Sequence, residues 1–145
     1  MIIGYTNGYY DILHIGHLSL LRNASALCDR LIVGVIADDE CRKRKKKTPV
    51  IPLNQRLEII RSVKYVDAAV PVYRDDKLEQ YNKYHYNILF VGSDHFEEPL
   101  WIMQESGLET SGVRVIYIEN VKGISTTVIK ERIVEQANKN TQEIP

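Results

Sequence analysis

The stretch MIIGYTNGYYDILHIGHLSLL, residues 1–21, predicts a strand, a turn and the start of a helix. It begins with an apolar run rich in β-branched residues, which is typical of a strand buried on both faces. Over about residues 16–28 the apolar residues return with the period of a helix, on a face formed by Leu18, Leu21, Ala24 and Leu27. A strand followed directly by a helix is the first half of a βαβ unit.

The rest of the chain repeats this alternation. Four more apolar runs, RLIVGVIA, AAVPV, NILFVG and VRVIYIE, are predicted strands. The predicted helices between and after them are one marked by Leu57, Ile60 and Val63 with Asn54 as N-cap, DDKLEQYNKYHY, EEPLWIMQESG, and STTVIKERIVEQANK with Ser125 as N-cap. We therefore predict a doubly wound α/β fold, with a five-stranded parallel sheet and helices on both faces. Residues 1–145 form one domain, of which about 139–145 are predicted to be a frayed tail.

The composition excludes several classes of protein. With 44% hydrophobic and 26% charged residues, the chain has an ordinary globular balance. Nineteen basic residues offset nineteen acidic ones, so the charge gives no reason to expect nucleic-acid or membrane binding. No basic segment precedes an apolar one at the start, and no apolar run approaches the roughly 18 residues of a membrane span. Cys28 and Cys41 fit no metal or disulfide spacing. We expect free thiols and a cytoplasmic location.

Two of the four histidines, His14 and His17, lie in the turn between the first predicted strand and helix. Ligands of such sheets bind at the carboxyl ends of the strands, and the amides of a first helical turn favour an anion. Gly8 would let the backbone approach a ligand, and Gly16 would let the helix begin tightly. These histidines suit hydrogen bonds to phosphate, although a chance surface pair or two metal ligands are alternatives. A zinc site would need a third ligand, and the three-glycine dinucleotide fingerprint is absent.

Two motifs resemble those of a known superfamily. The pattern G-x-Y-D-x-x-H-x-G-H at residues 8–17 resembles the first signature of the HxGH nucleotidyltransferases. KGISTTVIKERI, residues 122–133, resembles their second signature in the form of the cytidylyltransferase branch. The resemblance covers residues 3 to about 133 and is strongest to the glycerol-3-phosphate cytidylyltransferase family. It implies a Rossmann-like homodimer that joins CTP, with Mg²⁺, to a phosphorylated alcohol, giving a CDP-alcohol and pyrophosphate for cell-surface polymer or lipid precursors.

The chemistry of this reaction suits the residues. A phosphate oxygen of the acceptor attacks the α-phosphorus, and negative charge builds on the departing pyrophosphate. Because a phosphate is already a nucleophile, no general base is needed, and catalysis is positioning with electrostatic stabilisation. The expected catalytic residues are His14, His17, Lys47, Ser125 and Thr126.

The resemblance also implies binding residues. For the nucleotide they are Gly8, Tyr9, Tyr10, His14, His17, Lys47, Asp94, Asn120, Lys122, Gly123, Ile124, Ser125, Thr126 and Thr127; for the acceptor they are Lys45, Arg56, Lys64 and Lys77. The alternative without a binding role is that Ser125 caps the helix and that Thr126 and Thr127 simply occupy its first turn. Asp11 either helps to hold the metal or caps the turn.

The basic run CRKRKKKTP, residues 41–49, contains two of these residues. Taken alone, such a run is a solvated loop or a nucleic-acid patch. Its place after the second predicted strand favours a phosphate site. In an extended loop Lys45 and Lys47 would point to one side, because they are two residues apart. Lys43, Arg44 and Lys46 would then be solvated.

The departures from the family concern recognition of the base and the acceptor. Tyr9 stands where the family has threonine, and His95 where it has tryptophan. Asn120 replaces an arginine that helps to read cytosine. Further departures are Lys122 for glutamate, Lys64 for arginine, and extra residues 96–112, a predicted added helix over the acceptor pocket. Because of Asn120, an ATP-dependent adenylyltransferase of the same superfamily, of the flavin-nucleotide kind, is an alternative. A non-catalytic nucleotide-binding module is a further alternative.

Overall fold

The computed structural model describes residues 1–92 and 107–143. Within them the five predicted strands and four of the predicted helices follow in the predicted order, and one further helix is present. The elements are β1 (Ile3–Gly8), α1 (Ile15–Ser25), β2 (Arg30–Ile36), α2 (Asp38–Lys45), α3 (Leu53–Arg61), β3 (Ala68–Val72), α4 (Lys77–Tyr84), β4 (Ile88–Gly92), β5 (Arg114–Ile118) and α5 (Thr126–Glu143).

The strands form one parallel sheet in the order β3-β2-β1-β4-β5. From β1 the chain winds outward through β2 to β3, and then crosses to the other side of β1 to add β4 and β5. The order therefore reverses beside β1, and the carboxyl ends of β1 and β4 border the crevice where such sheets bind ligands. The predicted five-stranded, doubly wound, Rossmann-like fold is confirmed.

Apolar side chains cover both faces of the sheet. One cluster packs α1 and α3 against the strands; it includes Leu21, Ala24, Val33, Leu57, Ile60 and Phe90. A second, on the other face, includes Tyr5, Ile32, Tyr86, Leu89, Val91 and Leu108. Because the strands are buried on both sides, they are continuous apolar runs in the sequence.

Helix boundaries differ from the predicted ones at three places. Helix α1 ends at Ser25, so Leu27 lies beyond it and is 51% exposed. The N-cap of α3 is Pro52, whose carbonyl accepts from the first helical amides, and Asn54 is exposed within the first turn. The predicted frayed tail is helical through residue 143. An ion pair of 3.4 Å between Lys139 and Glu135, and the absence of proline or glycine before Pro145, explain this continuation.

The largest difference is α2, which sequence analysis missed. The basic run is the carboxyl half of this helix, and Asp38, Asp39 and Glu40 form its first turn. Acidic residues at the amino end and basic ones at the carboxyl end both interact favourably with the helix dipole. The helix ends at Lys45, and its C-cap, Lys46, has a left-handed φ of 56°. Lys45 and Lys47 therefore do not lie in an extended loop, and the argument that placed them on one side was wrong.

Some predictions fall outside the described residues. Asp94, His95 and most of the predicted helix EEPLWIMQESG lie there. No helix of the described ranges is both long and apolar enough to cross a bilayer.

Candidate active site

The turn between β1 and α1 has an unusual backbone. Tyr10 and Ile12 both have φ of 53°, in the left-handed region that residues other than glycine seldom adopt. Tyr10 is buried, and its ring lies 5.4 Å from the ring of His17. Such strain persists only where the surroundings enforce it, and it is concentrated at functional sites. The turn lies at the carboxyl end of β1, beside the crevice.

His14 and His17 cap the first helix together. Nδ1 of His14 accepts from the backbone N–H of Gly16 at 3.0 Å, and Nδ1 of His17 accepts from the backbone N–H of His14 at 3.2 Å. The two rings stack with centroids 3.8 Å apart. Because each Nδ1 is an acceptor, each neutral ring carries its proton on Nε2. The site therefore has two imidazole N–H donors that the cap does not use.

Both rings favour the neutral form. Burial lowers the pKa of His14 below its ordinary value. Burial also lowers the pKa of His17, to about 4, with the neighbouring His14 adding to the effect and Asp11 opposing it. At neutral pH these residues thus act as hydrogen-bond donors with no formal charge. A bound phosphate would oppose this shift, because an anion favours the imidazolium form.

The amino end of α5 meets this turn. The hydroxyl of Ser125 accepts from the N–H of Val128 at 3.1 Å, as expected of an N-cap. The hydroxyl of Thr126 donates to the carbonyl of Asp11 at 2.7 Å. The two motifs, far apart in the chain, thus form one site. The helix amino termini of α1 and α5 both contribute amides suited to an anion.

Gly16 is required by this close packing. A Cβ on Gly16 would lie 2.8 Å from Cε1 of His14 and 3.5 Å from a methyl group of Ile124. A larger residue would displace the capping imidazole. Gly123, just before Ile124, has φ of 78° and faces no such contact, so its conformation is what favours glycine there.

Asp11 caps a second loop. Its carboxylate accepts from the N–H groups of Val50 at 2.9 Å and Ile51 at 3.0 Å, and Nζ of Lys130 lies 3.8 Å away. This supports the capping alternative for Asp11. In the ranges that the structure describes, no group of three His, Cys, Asp or Glu side chains could hold a metal. Lys130 was missed by sequence analysis; the signal was a basic residue one helical turn after Thr126.

Arg56, a predicted ligand of the acceptor substrate, is buried and bonds to the protein itself. The side chain is 0% exposed. Its guanidinium donates to the carbonyls of Ile51 at 2.8 Å and of Tyr9 and Ile36 at 2.7 Å, and it pairs with Asp38 at 2.5 Å. These partners belong to the β1–α1 turn, the end of β2, the start of α2 and the loop before α3. Arg56 therefore connects the segments around the site, and an acceptor contact would require it to leave them.

The predicted acceptor lysines Lys45 and Lys77 lie near the same sheet edge. Nζ of Lys45 lies 4.8 Å from the centroid of the Tyr9 ring. Nζ of Lys77 pairs with Asp75 at 3.0 Å, and the amide of Asn7 donates to the same carboxylate at 3.1 Å. This edge combines cations with hydrogen-bonding groups, an arrangement suited to a phosphorylated, hydroxylated molecule.

Arg44 also belongs to this edge. Its guanidinium donates to the carbonyl of Asp75 at 3.1 Å, and its Nε lies 3.6 Å from the buried carboxylate of Glu40. Glu40 in turn accepts from the backbone N–H of Asp75. Arg44 is solvent-exposed, as expected of the basic run, but it also connects α2 to the segment before α4.

Lys64 occupies a different place. Its ammonium lies 5.3 Å from the ring centroid of its neighbour Tyr65. It lines a cavity of about 490 Å³ on the outer side of α1, together with Ile15, Leu18, Ser19, Arg22, Val63, Tyr65 and Val121. Neither Lys45 nor Lys77 lines this cavity. Five of the predicted nucleotide-binding residues are solvent-exposed: Lys47, Asn120, Lys122, Gly123 and Thr127.

Comparison with known proteins agrees with this geometry. A family model described as cytidylyltransferase-like matches residues 5–132. Among curated proteins, the bifunctional protein HldE of Acidiphilium cryptum is 37% identical over 90% of this chain, and that of Actinobacillus pleuropneumoniae serotype 5b is 37% identical over 92%. The chain spans 27% and 28% of their lengths, respectively.

Solved structures show the same fold. The lipopolysaccharide core biosynthesis protein of Thermoplasma volcanium superposes with a TM-score of 0.71 at 28% identity, covering 86% of this chain and 99% of that one. The pantoate-β-alanine ligase of Francisella tularensis, complexed with β-γ ATP and β-alanine, has a TM-score of 0.61 at 16% identity. It covers 89% of this chain and 67% of the ligase, and this likeness concerns the fold alone.

Proposed function

The chain belongs to the cytidylyltransferase-like family of nucleotidyltransferases, and from that premise we propose that it transfers a nucleotidyl group from ATP to the phosphate of a small phosphorylated sugar. The observation that carries this proposal is the mutual cap of His14 and His17, joined to the amino end of α5 through Thr126 and Asp11. This cap leaves two imidazole N–H donors near the amino termini of α1 and α5, which supports the proposal. Such a site is suited to a triphosphate.

In the proposed reaction an acceptor phosphate oxygen attacks the α-phosphorus. The bond from that phosphorus to the oxygen bridging to the β-phosphate breaks, and pyrophosphate leaves with the electron pair. No proton needs to be removed from the acceptor. The Nε2–H donors of His14 and His17 stabilise the charge that develops on the phosphate oxygens, and the amides at the start of α5 hold the departing end. Preorganisation by the cap means that the donors need little rearrangement as the bond breaks.

Mg²⁺ is expected with the triphosphate, where it neutralises phosphate charge. A magnesium ion bound this way uses mainly phosphate oxygens and water as ligands. Both carboxylate oxygens of Asp11 already accept backbone hydrogen bonds. The protein's own contribution is therefore to position the phosphates, and Asp11 contributes by keeping the loop at residues 50–51 beside the turn.

Two observations favour ATP as the nucleotide. Asn120 stands at the position where the resemblance implies an arginine that reads cytosine, and it is exposed. The two HldE relatives, which match about nine tenths of the chain, are not named as cytidylyltransferases. Their names therefore give no reason to prefer CTP. CTP is the second candidate, because the second motif has the cytidylyltransferase form and an asparagine amide can pair with cytosine.

The acceptor is proposed to be a sugar phosphate of a cell-surface polysaccharide pathway. The support is the similarity to the lipopolysaccharide core biosynthesis protein of Thermoplasma volcanium, at 28% identity. A glycerol-3-phosphate-like alcohol stays a second candidate acceptor. The homodimer and the cytoplasmic location also stay predictions.

Pyrophosphate release tests the proposal. The chain is incubated with Mg²⁺, either ATP or CTP, and a panel of hexose and heptose 1-phosphates, glycerol 3-phosphate and ribitol 5-phosphate. We expect release with ATP and a sugar 1-phosphate. Release with CTP and glycerol 3-phosphate would replace this assignment by the second candidate. Nucleotide binding without turnover across the whole panel would favour the non-catalytic module.

A further inference from the structure

Three basic side chains near the carboxyl ends of β1 to β3 differ in whether they contact a carboxylate. Arg44 lies against Glu40, and Lys77 lies against Asp75. Lys45, on the same side of the sheet edge, lies over an aromatic ring. Of these three cations, Lys45 therefore contacts an aromatic ring, whereas the other two contact carboxylates, in the part of the chain that the structure describes. An aromatic face attracts an ammonium through its quadrupole but carries no net charge. Among the described residues, no carboxylate contact therefore offsets the charge of Lys45.

The ring beneath Lys45 belongs to Tyr9, whose backbone is held by a buried side chain. The backbone carbonyl of Tyr9 accepts from the buried Arg56 at 2.7 Å. The residue is half-buried, and burial raises the pKa of its phenol to about 12, with Asp75 adding to the effect. The phenol therefore stays protonated at neutral pH. Tyr9 thus lies between Lys45 on α2 and the Asp75 segment before α4.

We propose that Tyr9 is a positioning and specificity residue, which presents Lys45 to the acceptor phosphate and forms the wall between that lysine and the Lys77–Asp75 pair. This deepens the proposed function and rests on it. The phosphate of the acceptor lies on Lys45. Its hydroxyl groups lie toward Asn7, Asp75 and Lys77, which offer both donors and an acceptor. The site therefore selects a phosphate attached to a hydroxylated body over one attached to an apolar or cationic body.

A double-mutant cycle tests whether Tyr9 acts through Lys45. Tyr9→Ala, Lys45→Ala and the double variant are compared, with Tyr9→Phe to keep the ring and Tyr73→Ala as a control at a tyrosine that is 73% exposed. We expect Tyr9→Ala to raise the acceptor KM about three- to tenfold, the range of a cation–π contact at a partly exposed site. Tyr9→Phe should stay within about twofold of the wild type, because its ring is retained. In the Lys45→Ala background, Tyr9→Ala should have no further effect.

A second measurement does not depend on turnover. Inorganic phosphate is titrated while the side-chain resonance of Lys45, assigned by its loss in Lys45→Ala, is followed by NMR in protein with ¹³C-labelled lysine. We expect Tyr9→Ala to weaken phosphate binding at this resonance about three- to tenfold and Tyr9→Phe to leave it unchanged. The proposal would be overturned if Tyr9→Ala raised the acceptor KM by the same factor in the wild-type and Lys45→Ala backgrounds. An unchanged phosphate affinity at the Lys45 resonance in Tyr9→Ala would also overturn it.

The two proposals fail in different ways. If the wild type releases no pyrophosphate with any acceptor, the proposed function fails, and the NMR titration still decides the role of Tyr9. If the wild type is active and Tyr9→Ala changes the KM for the triphosphate instead of the acceptor, only the inference on Tyr9 fails. A ratio between the KM for a hexose 1-phosphate and the inhibition constant of a simple alkyl phosphate that is the same in wild type and Tyr9→Ala would remove the specificity role.

Discussion

The hydroxyl of Thr126 donates to the carbonyl of Asp11 at 2.7 Å across 115 positions of sequence. This bond connects the turn after β1 to the amino end of α5. Asp11 itself accepts from the loop at residues 50–51 and lies near Lys130. The two segments that carry predicted phosphate-binding residues and the loop at residues 50–51 are thereby kept in one arrangement.

Removing this hydroxyl should loosen the arrangement. Thr126→Val keeps the shape of the side chain but leaves the Asp11 carbonyl without its donor. We expect a loss of about 1 kcal/mol in the free energy of unfolding, the usual value for one such bond, and a higher KM for the triphosphate. Urea denaturation and steady-state kinetics measure the two effects. Thr127→Val, at the exposed neighbouring threonine, is the matched control. Equal effects at both positions would contradict a specific role for the bond.

The two histidines should act mainly on the chemical step. His14→Asn keeps a side chain able to cap α1 but removes the imidazole donor. We expect this variant and His17→Asn to lower kcat by about two to three orders of magnitude, as for the loss of a preorganised donor, with a smaller change in KM. His85→Asn is the control, because His85 is exposed at the left-handed end of α4, where asparagine is tolerated. Near-normal kcat in either active-site variant would exclude the proposed role.

The low pKa of His17 makes stability depend on pH. In the unfolded chain a histidine gains its proton near pH ~6.5, whereas in the fold His17 gains it only near pH 4. Between these values the unfolded state binds more protons, so acidification favours unfolding. We expect the stability advantage of wild type over His17→Asn to be complete above this window and to shrink as the pH falls through it. Urea denaturation of both proteins at several pH values measures this. An advantage that is constant across the window would show that His17 titrates normally.

Arg56 should be needed for the fold itself. Its guanidinium is buried, and its four oxygen partners would be left unpaired by truncation. We expect Arg56→Ala to destabilise the protein by about 3–5 kcal/mol, the usual effect of breaking a buried charged network. Arg132→Ala, at an exposed position of α5, should change stability by less than about 0.5 kcal/mol. If Arg56→Ala kept its stability and raised only the acceptor KM, the acceptor role implied by the resemblance would return.

The sheet and the two motifs could be predicted from sequence for clear physical reasons. Strands buried on both faces are continuous apolar runs, and the His14–His17 and Ser125–Thr126 motifs follow predicted strands at the carboxyl edge. What could not be predicted depends on tertiary contacts. Helix α2 contains few apolar residues, so no helical repeat of apolar residues marks it in the sequence. Its contacts with the rest of the fold include Asp38 with Arg56 and Glu40 with the backbone of Asp75.

Arg56 illustrates the same limit. In sequence an arginine on a helix is a solvent-exposed cation, and a motif match alone makes it a ligand. Only the fold shows that four oxygens from distant segments surround it. The contacts of Arg44 could not be predicted for the same reason, since its partners Glu40 and Asp75 are brought together by α2 and the segment before α4.

The basic run provides the last prediction. Lys45 is the final residue of α2 and lies over Tyr9, whereas Lys47 follows the left-handed Lys46 and is exposed. The left-handed Lys46 separates the two lysines, which suits contacts with different phosphates. A lysine binds phosphate as a compact charge in water, so losing one should weaken binding by a few kcal/mol at most, or about 10- to 100-fold.

We expect Lys45→Ala to raise mainly the KM for the acceptor, and Lys47→Ala to raise mainly the KM for the triphosphate and to slow the chemical step. Lys43→Ala, at an exposed position of α2, is the matched control and should leave all three constants unchanged. Arg44→Ala should lower stability, because Arg44 is held by Glu40 and Asp75. Steady-state kinetics with each substrate varied in turn separates these outcomes. Small and equal effects at Lys43, Lys45 and Lys47 would mean that the carboxyl end of α2 is only a charged surface, and both assignments would have to be given up.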